Sequence, residues 1–373
     1  MARDPLELLE GPLIARVADR LVAEARALAG APAALYVADL DGCSLHRVAG
    51  DAALPEALET VQLVGPEISP LQADELARAI PGATMVPMML RGRALSALVF
   101  SAPPSGDLDA LAARGAAALE LAERHTDVLA NARRHRECSA AAELQQDLLP
   151  PRIGRLEGAE VAGSILPAYD VGGDWIDHCA MVDGGWLGVA DAVGKGPQAS
   201  AIGAIALGAY RAARRGGCDL ATAAADIHKA ICTLELREIF MSAVLASWDA
   251  RSSSLAWLRC GHPPPMVWHP RRGLRALEGG DGPVLGLDRL APGREPGRAT
   301  IASDEIVVLV SDGVLERAIP RAEAFGEDGL RRALDAMPAP SAPAAAAAVL
   351  RAVRELHEGP LRDDASVLML APL

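Results

Sequence analysis

Strand-like runs in the second part of the sequence carry an aspartate at one end. Asp174 lies in the turn VGGDW, Asp191 follows WLGVA, Asp312 follows EIVVLVS, and Asp363 and Asp364 precede ASVLML. A single aspartate at such a position has a structural interpretation, because its side chain bonds nearby backbone in turns and caps. The repetition of the pattern asks for a common explanation.

Carboxylates at the strand ends of one sheet sandwich can converge at one end of it. Several unpaired anions in one place repel each other strongly unless cations neutralise them. The hard divalent ions Mg²⁺ and Mn²⁺ match the oxygen ligands that aspartate offers. No His and Cys set has the ligand spacing that favours zinc. The pattern therefore indicates a site for divalent cations.

The stretch GVADAVGKGPQAS tests a nucleotide-binding alternative. A P-loop needs four residues between its glycines and a hydroxyl residue after the lysine. Here five residues separate Gly188 from Gly194, and Gly196 follows Lys195. The P-loop interpretation fails. Lys195 keeps two interpretations, a contact to substrate phosphate and a solvated turn residue.

Composition limits the classes of function. The 373 residues are 51% hydrophobic, enough to bury a core in each of two domains, and carry a net charge of −13, which argues against nonspecific binding to nucleic acid or anionic membranes. The six cysteines include no C-x-x-C pair, so we expect reduced thiols. The sequence shows neither a signal peptide nor an apolar run of about 18 residues. We expect a cytoplasmic protein.

The first region predicts a small α+β domain. Residues 12–29 form an amphipathic helix pattern, and two pairs of strand-like runs follow, joined at Asp41-Gly42 and Arg91-Gly92. The layout, with Val86, Pro87 and Leu98 in the second pair, resembles a GAF-type sensor domain. We assign residues 1–106 to this domain.

Residues 107–150 are assigned to a helical linker with one long helix from Asp107 to Leu149, because Asp107 is a good N-cap and almost no Gly or Pro follows before Pro150-Pro151. An imperfect heptad stripe runs along it through Leu108, Leu111, Gly115, Ala118, Ala122, Leu129 and Ala132. The stripe has two interpretations, a parallel dimer stalk and a helix packed on its own domain.

After residue 151 the pattern changes to strands with Gly and Pro turns and few helices, which favours a mainly antiparallel sheet with covering helices. The strand candidates are Trp186–Ala190, Ser242–Trp248, Leu255–Arg259, Ile306–Val310 and Ser366–Leu370.

Seven motifs in order carry a resemblance to a known family. They are LQQDLLP at 144–150, PAYDVGGDWIDH, VADAVGKG, CGHPPP, VLGL, DEIVVLVSDGVLE and RDDASVLML. In this order they resemble the bacterial PPM (PP2C-like) serine/threonine phosphatases of the SpoIIE/RsbU class. The resemblance implies an α+β fold for residues 151–373, a β-sandwich of two antiparallel sheets flanked by helices.

The resemblance also implies a centre of two or more Mn²⁺ or Mg²⁺ ions. Its implied ligands are Asp174, Asp191, Asp312 and Asp363, which would also be the catalytic residues, together with the carbonyl of Ala192 and with Asp364 as a neighbour or alternate ligand. Such ions would lower the pKa of a water for in-line attack on phosphorus.

By the same resemblance, the substrate would be a phosphoserine or phosphothreonine of an anti-anti-sigma (STAS) regulator in a partner-switching stress pathway. The first domain would receive a small-molecule or protein signal, and the helix would transmit it to the segment around Leu148–Pro151. The competing interpretation is a noncatalytic phosphatase-like scaffold. The complete aspartate set favours the enzyme.

Overall fold

The computed structural model describes residues 13–40, 44–58, 70–90, 93–134, 137–166, 172–234, 239–287, 295–318, 324–337, 339–356, 361 and 363–373. The chain divides into two compact units, Met1–Glu137 and Cys138–Leu373. The predicted turns at Asp41-Gly42 and Arg91-Gly92 lie outside the described residues. In the described part of the chain, no helix combines the length and apolarity that crossing a membrane requires.

The first unit combines a five-stranded antiparallel sheet with four α-helices among its described residues. Its helices are α1 (Val17–Ala29), α2 (Pro70–Ala79), α3 (Asp109–Ala122) and α4 (Val128–Arg133). Its strands are β1 (Ala33–Ala38), β2 (Leu45–Gly50), β3 (Ala57–Leu58), β4 (Thr84–Leu90) and β5 (Arg93–Phe100), in the order β3-β2-β1-β5-β4. This mixture of helices and strands agrees with the α+β domain predicted from the sequence. The resemblance to a GAF domain stays a prediction.

The prediction of one long helix over 107–149 is wrong. The structure contains α3, α4 and a separate helix α5 (Ala140–Leu148), which belongs to the second unit. Side chains at the breaks bond the backbone locally: Thr126 Oγ1 accepts from Val128 N at 3.4 Å, and Ser139 Oγ accepts from Ala142 N at 3.1 Å as the cap of α5. Such bonds compete with a continuous helix. The absence of Gly and Pro was therefore an insufficient criterion.

The apolar stripe packs within its own unit. Its apolar side chains from Leu108 to Leu129 belong to a buried cluster that includes Leu21 of α1 and Met88 of β4. A Cβ on Gly115 would lie 2.5 Å from Leu21 Cδ1 and 2.6 Å from Met88 Cε, so close helix packing accounts for the glycine. This packing is the second interpretation of the stripe. A homodimer through this region stays a prediction.

The second unit contains two six-stranded sheets. Its further helices are α6 (Pro197–Arg215), α7 (Leu220–Cys232), α8 (Asp312–Leu315), α9 (Gly326–Asp335) and α10 (Ala342–Glu355). Its strands are β6 (Ile153–Leu156), β7 (Ala159–Leu166), β8 (Trp175–Met181), β9 (Gly184–Ala192), β10 (Met241–Asp249), β11 (Ser254–Cys260), β12 (Met266–His269), β13 (Gly273–Ala276), β14 (Asp281–Gly282), β15 (Gly297–Thr300), β16 (Ile306–Val310) and β17 (Ala365–Pro372).

One sheet has the order β14-β11-β10-β9-β8 with β15 beside β11, and the other has the order β13-β12-β16-β17-β7-β6. The strand pairs are antiparallel except for the two-residue pairing of β14 with β11. All five strand candidates lie within observed strands. The predicted sandwich of two antiparallel sheets is confirmed.

The strands of both sheets are apolar on both faces, so each sheet packs against the other sheet on one side and against helices on the other. Leu187, Val307 and Leu368 belong to the cluster between the sheets. Alternate residues of the same strands point the other way: Ala190 packs with α6 and α7, and Val308 packs with α9 and α10. Burial on both sides explains why these strands read as continuous hydrophobic runs rather than as alternating ones.

Candidate metal centre

Both sheets deliver carboxylates to one end of the sandwich. Asp174 immediately precedes β8, and Asp191 is the penultimate residue of β9. From the other sheet, Asp312 begins α8 after β16, and Asp363 and Asp364 immediately precede β17. The strand-end positions seen in the sequence therefore correspond to one region of the fold.

A hydrogen-bond network joins the two sheets beneath this region. Ser366 Oγ donates to Asp174 Oδ2. Ser311 Oγ donates to the carbonyl oxygen of Asp364 at 3.0 Å and accepts from Ser366 N at 2.9 Å. Gly172 N donates to both carboxylate oxygens of Asp364, at 3.1 and 2.9 Å. Asp174 and Asp364 are thus held at the buried floor of the site.

Ser311 and Ser366 were missed by the sequence reasoning. Each is fully buried in an otherwise apolar strand context and stands next to, or two residues from, a predicted ligand. A hydroxyl at such a position needs a partner, because an unsatisfied buried polar group costs about 1 to 3 kcal/mol. That rule was the available signal.

The carboxyl groups of Asp174 and Asp191 lie close enough that each changes the pKa of the other. Burial raises the pKa of Asp174 well above its ordinary value, and the charges of Asp191 and Asp364 raise it further. Burial also raises the pKa of Asp191 to about 6, although the bond from Asp174 opposes the rise. The pair takes up a proton because two buried neighbouring anions are costly.

The remaining acids share this electrostatic environment. Burial raises the pKa of Asp364 to about 7. The hydrogen bond from Gly172 N–H lowers this pKa, and the charge of Asp363 raises it further. Burial and the charge of Asp363 raise the pKa of Asp312. Asp363 itself is half exposed and pairs with Lys195, whose Nζ lies 3.6 Å from Asp363 Oδ1. The region therefore has an excess of negative charge.

Glycines permit the close approach of these segments. A Cβ on Gly172 would lie 2.5 Å from Asp364 Oδ2, and a Cβ on Gly313 would lie 2.0 Å from the Asp364 carbonyl oxygen. A Cβ on Gly173 would lie 2.9 Å from the carbonyl oxygen of Ala192, which places that predicted ligand oxygen beside the residue preceding Asp174. Any side chain at these positions would push the carboxylates apart.

The donor set fits hard divalent cations. It consists of aspartate oxygens and a backbone carbonyl, and the raised pKa values report negative charge that cations would neutralise. Among the described residues, no three His, Cys, Asp or Glu side chains already surround a common point as cation ligands. Asp174 instead bonds Ser366, and Asp364 bonds Gly172, so these side chains would have to turn to hold a cation.

Helix α5 contacts the site from outside. Gln145 Nε2 donates to the carbonyl oxygen of Asp174 at 2.7 Å, and Arg211 of α6 donates to the carbonyl oxygen of Leu148 at 2.6 Å. Arg211 and Arg214 also pair with the buried Asp177 of β8. A cavity of about 20 Å³ lies between these elements, lined by residues that include Gln145, Trp175 and Gly203.

His262 of the CGHPPP motif is buried beside the site. Its Nδ1 lies 2.6 Å from Ser242 Oγ, and Ser242 is the cross-strand partner of Asp191. Burial lowers the pKa of His262 to about 3, so the ring is neutral at physiological pH. Gly261 has a φ of 69°, as a turn at the strand exit requires. The buried ring therefore contacts the strand that pairs with β9 at Asp191.

Comparisons with known proteins bear on the family and the fold of the second unit. The sequence model of the family described as Stage II sporulation protein E (SpoIIE) matches residues 183–372. The match includes Asp191, Asp312 and Asp363 and begins after Asp174. Among curated proteins, none matches the sequence.

Two solved structures share the fold of the second unit. The SiaA-PP2C domain of Pseudomonas aeruginosa is similar with a TM-score of 0.52 and 23% identity, over 62% of this chain and 94% of that one. The RsbU and RsbW domains of Rv1364c from Mycobacterium tuberculosis are similar with a TM-score of 0.50 and 22% identity, over 58% of this chain and 63% of that one.

Proposed function

Because this chain belongs to the SpoIIE family and its second unit is a PP2C-type phosphatase domain, we propose that it hydrolyses phosphoserine and phosphothreonine on a regulatory protein. One observation carries the proposal: acidic side chains from both sheets meet at one end of the sandwich with too little positive charge to balance them. A purely structural cluster would leave this repulsion uncompensated.

The proposed cofactors are two or more Mn²⁺ or Mg²⁺ ions, held by Asp174, Asp191, Asp312 and Asp363, the Ala192 carbonyl and Asp364. When bound, such ions supply Lewis-acid activation of water and neutralise phosphoryl charge. The chain's own contribution is to hold the ligands: Ser366 orients Asp174, Gly172 N–H orients Asp364, and the β9–β10 pairing positions Asp191 and Ala192.

We further propose that the substrate is a phosphorylated anti-anti-sigma (STAS) protein in a partner-switching pathway. The similarity to a chain that contains RsbU and RsbW domains supports a place in such regulation. The first unit would receive a small-molecule or protein signal, and α5 would transmit it, since Gln145 bonds the backbone of Asp174.

Hydrolysis of p-nitrophenyl phosphate with Mn²⁺ tests the phosphatase assignment. We expect turnover by the wild type and loss to background in Asp312→Asn, which removes one carboxylate charge with little change of shape. Asp226→Asn, on the exposed face of α7, is the matched control and keeps wild-type activity. Equal activities of wild type and Asp312→Asn would remove the catalytic assignment and leave the noncatalytic scaffold.

A further inference from the structure

The charge balance of the site leaves the substrate short of a cationic partner. Five carboxylates outweigh two divalent cations by one charge, and a phosphorylated side chain brings about two more negative charges at neutral pH. A dianion approaching a site of net negative charge is repelled unless a protein cation lies on its path. A cationic side chain is therefore expected at the mouth of the site.

Lys195 is in the required place. Of the ion pairs among the described residues, one reaches these five carboxylates, and it joins Lys195 Nζ to Asp363 Oδ1 at 3.6 Å. The charge of Lys195 also acts on Asp191 across the loop. The lysine side chain is 59% exposed and Asp363 is 49% exposed, so the pair lies at the open rim rather than on the buried floor.

The loop around Lys195 leaves room for a ligand. Gly194 and Gly196 have φ values of 99° and 75°, and a Cβ built on either would meet no atom within 4 Å. Their conformation requires glycine, but their surroundings are open. The lysine is thus carried on a backbone turn that faces unfilled space at the mouth of the site.

Helix α6 begins directly after this loop and adds to the positive potential. It is 19 residues long, no side chain caps it at Gly196, and its first turn contains no acidic residue. The N-terminus of a helix of this length attracts anions, because its first N–H groups lack intrahelical acceptors. The lysine and the helix end therefore act on the same rim.

We propose that Lys195 binds the phosphoryl group of the substrate. In this assignment, which rests on the proposed function, Asp363 turns to the cations, and the Lys195 ammonium exchanges its carboxylate partner for a phosphoryl oxygen. Lys195 is then a catalytic residue that touches substrate, and not a solvated turn lysine. The exchange keeps the ammonium paired with an anion in both states.

The chain offers a matched control, because Lys195 and Lys229 are its only lysines. Lys229 is exposed on α7. In Mn²⁺-loaded protein, Lys195→Met is expected to raise both the KM for p-nitrophenyl phosphate and the Ki of inorganic phosphate about tenfold, the effect of losing one charge-assisted hydrogen bond. Lys195→Arg recovers part of this loss, and Lys229→Met matches the wild type.

A second measurement does not depend on turnover. The Mn²⁺-loaded wild type is treated with limiting acetic anhydride, with and without inorganic phosphate, and peptide mass spectrometry reads acetylation at the two lysines. Phosphate is expected to protect Lys195 and to leave Lys229 unchanged.

The outcomes separate this inference from the proposed function. If the wild type shows no Mn²⁺-dependent hydrolysis, the phosphatase assignment fails, while phosphate protection still reports on Lys195. If the wild type is active but phosphate does not protect Lys195, or Lys195→Met keeps the wild-type KM and Ki, the inference about Lys195 is overturned. A fall in kcat alone, with unchanged KM and Ki, also overturns it.

Discussion

The side-chain amide of Gln145 donates a hydrogen bond to the carbonyl oxygen of Asp174 at 2.7 Å. The first residue lies on α5, and the second is a proposed ligand 29 positions further along the chain. The bond is buried, so its loss would leave the Asp174 carbonyl without that partner. Through this bond, α5 directly contacts the backbone of the residue that carries the carboxylate.

Gln145→Ala is expected to raise the Mn²⁺ concentration needed for half-maximal hydrolysis of p-nitrophenyl phosphate. Removing one partner of a buried hydrogen bond costs about 1 to 3 kcal/mol, and here the cost falls on the Asp174 backbone. Asp147→Ala, exposed on the same helix, is the control. A lowered rate with an unchanged Mn²⁺ requirement would show that α5 does not act through the ligand.

Asp364→Asn is expected to stabilise the metal-free protein at high pH. Burial raises the pKa of Asp364 from 3.8 to about 7, so the folded state holds its proton more tightly than the unfolded state. That contribution is fully present below about pH 4 and is lost as the pH rises to about 7. The asparagine avoids this loss and still accepts from Gly172 N, so the variant should gain on the order of 4 kcal/mol at pH 8.

Urea denaturation in EDTA at several pH values measures this difference. The gain of Asp364→Asn over the wild type should grow from near zero at pH 4 to a plateau above pH 7. Using the difference cancels His262, whose lowered pKa makes the protein lose stability as the pH falls below its ordinary value of 6.5. A gain that is constant with pH would contradict the prediction.

Two alanine substitutions on α6 are expected to have opposite effects. A Cβ on Gly203 would lie 2.7 Å from the backbone oxygen of Gly173, so Gly203→Ala must displace the segment that leads to Asp174. We expect a loss of about 1 to 3 kcal/mol from overpacking and a weaker response to Mn²⁺. A Cβ built on Gly208 would have no atom within 4 Å. Gly208→Ala should therefore raise the free energy of unfolding by about 1 kcal/mol, because alanine has the higher helix propensity.

Thermal unfolding with and without Mn²⁺ reads both effects. Gly203→Ala should lower the melting temperature and reduce the shift that Mn²⁺ produces. Equal melting temperatures for the two variants would mean that α6 can move away from Gly173 at no cost.

Arg214→Met is expected to destabilise the second unit. Asp177 is buried and pairs with both Arg211 and Arg214, and Arg214 is itself buried. Breaking a buried ion pair from one side costs about 3 to 5 kcal/mol, and the remaining Arg211 reduces that to about 2 kcal/mol. Arg215→Met, exposed one residue further along α6, should lie within about 0.5 kcal/mol of the wild type in urea denaturation. Similar losses in both variants would assign the effect to the helix rather than to Asp177.

The sequence predicted the strands and the acids of the site better than the connections between them. Asp174, Asp191, Asp312, Asp363 and Asp364 were recognisable because each stands where an apolar run begins or ends. Ser366 and Gln145 were not, because their partners lie far away in the chain, 192 positions in the case of Ser366 and Asp174. Hydroxyl side chains bond the backbone next to the start of α4 and of α5, a signal that a search for glycine and proline does not detect.

The strands next to the proposed metal ligands resist displacement unequally, because they lie at different positions within their sheets. Strand β17 lies between β16 and β7, so sliding it would break two ladders at once. Among the described residues, strand β8, which follows Asp174, is the edge of its sheet and pairs only with β9. A small displacement of the chain at Asp174 therefore costs the fewest backbone bonds, which makes Asp174 the most easily adjusted of the proposed ligands.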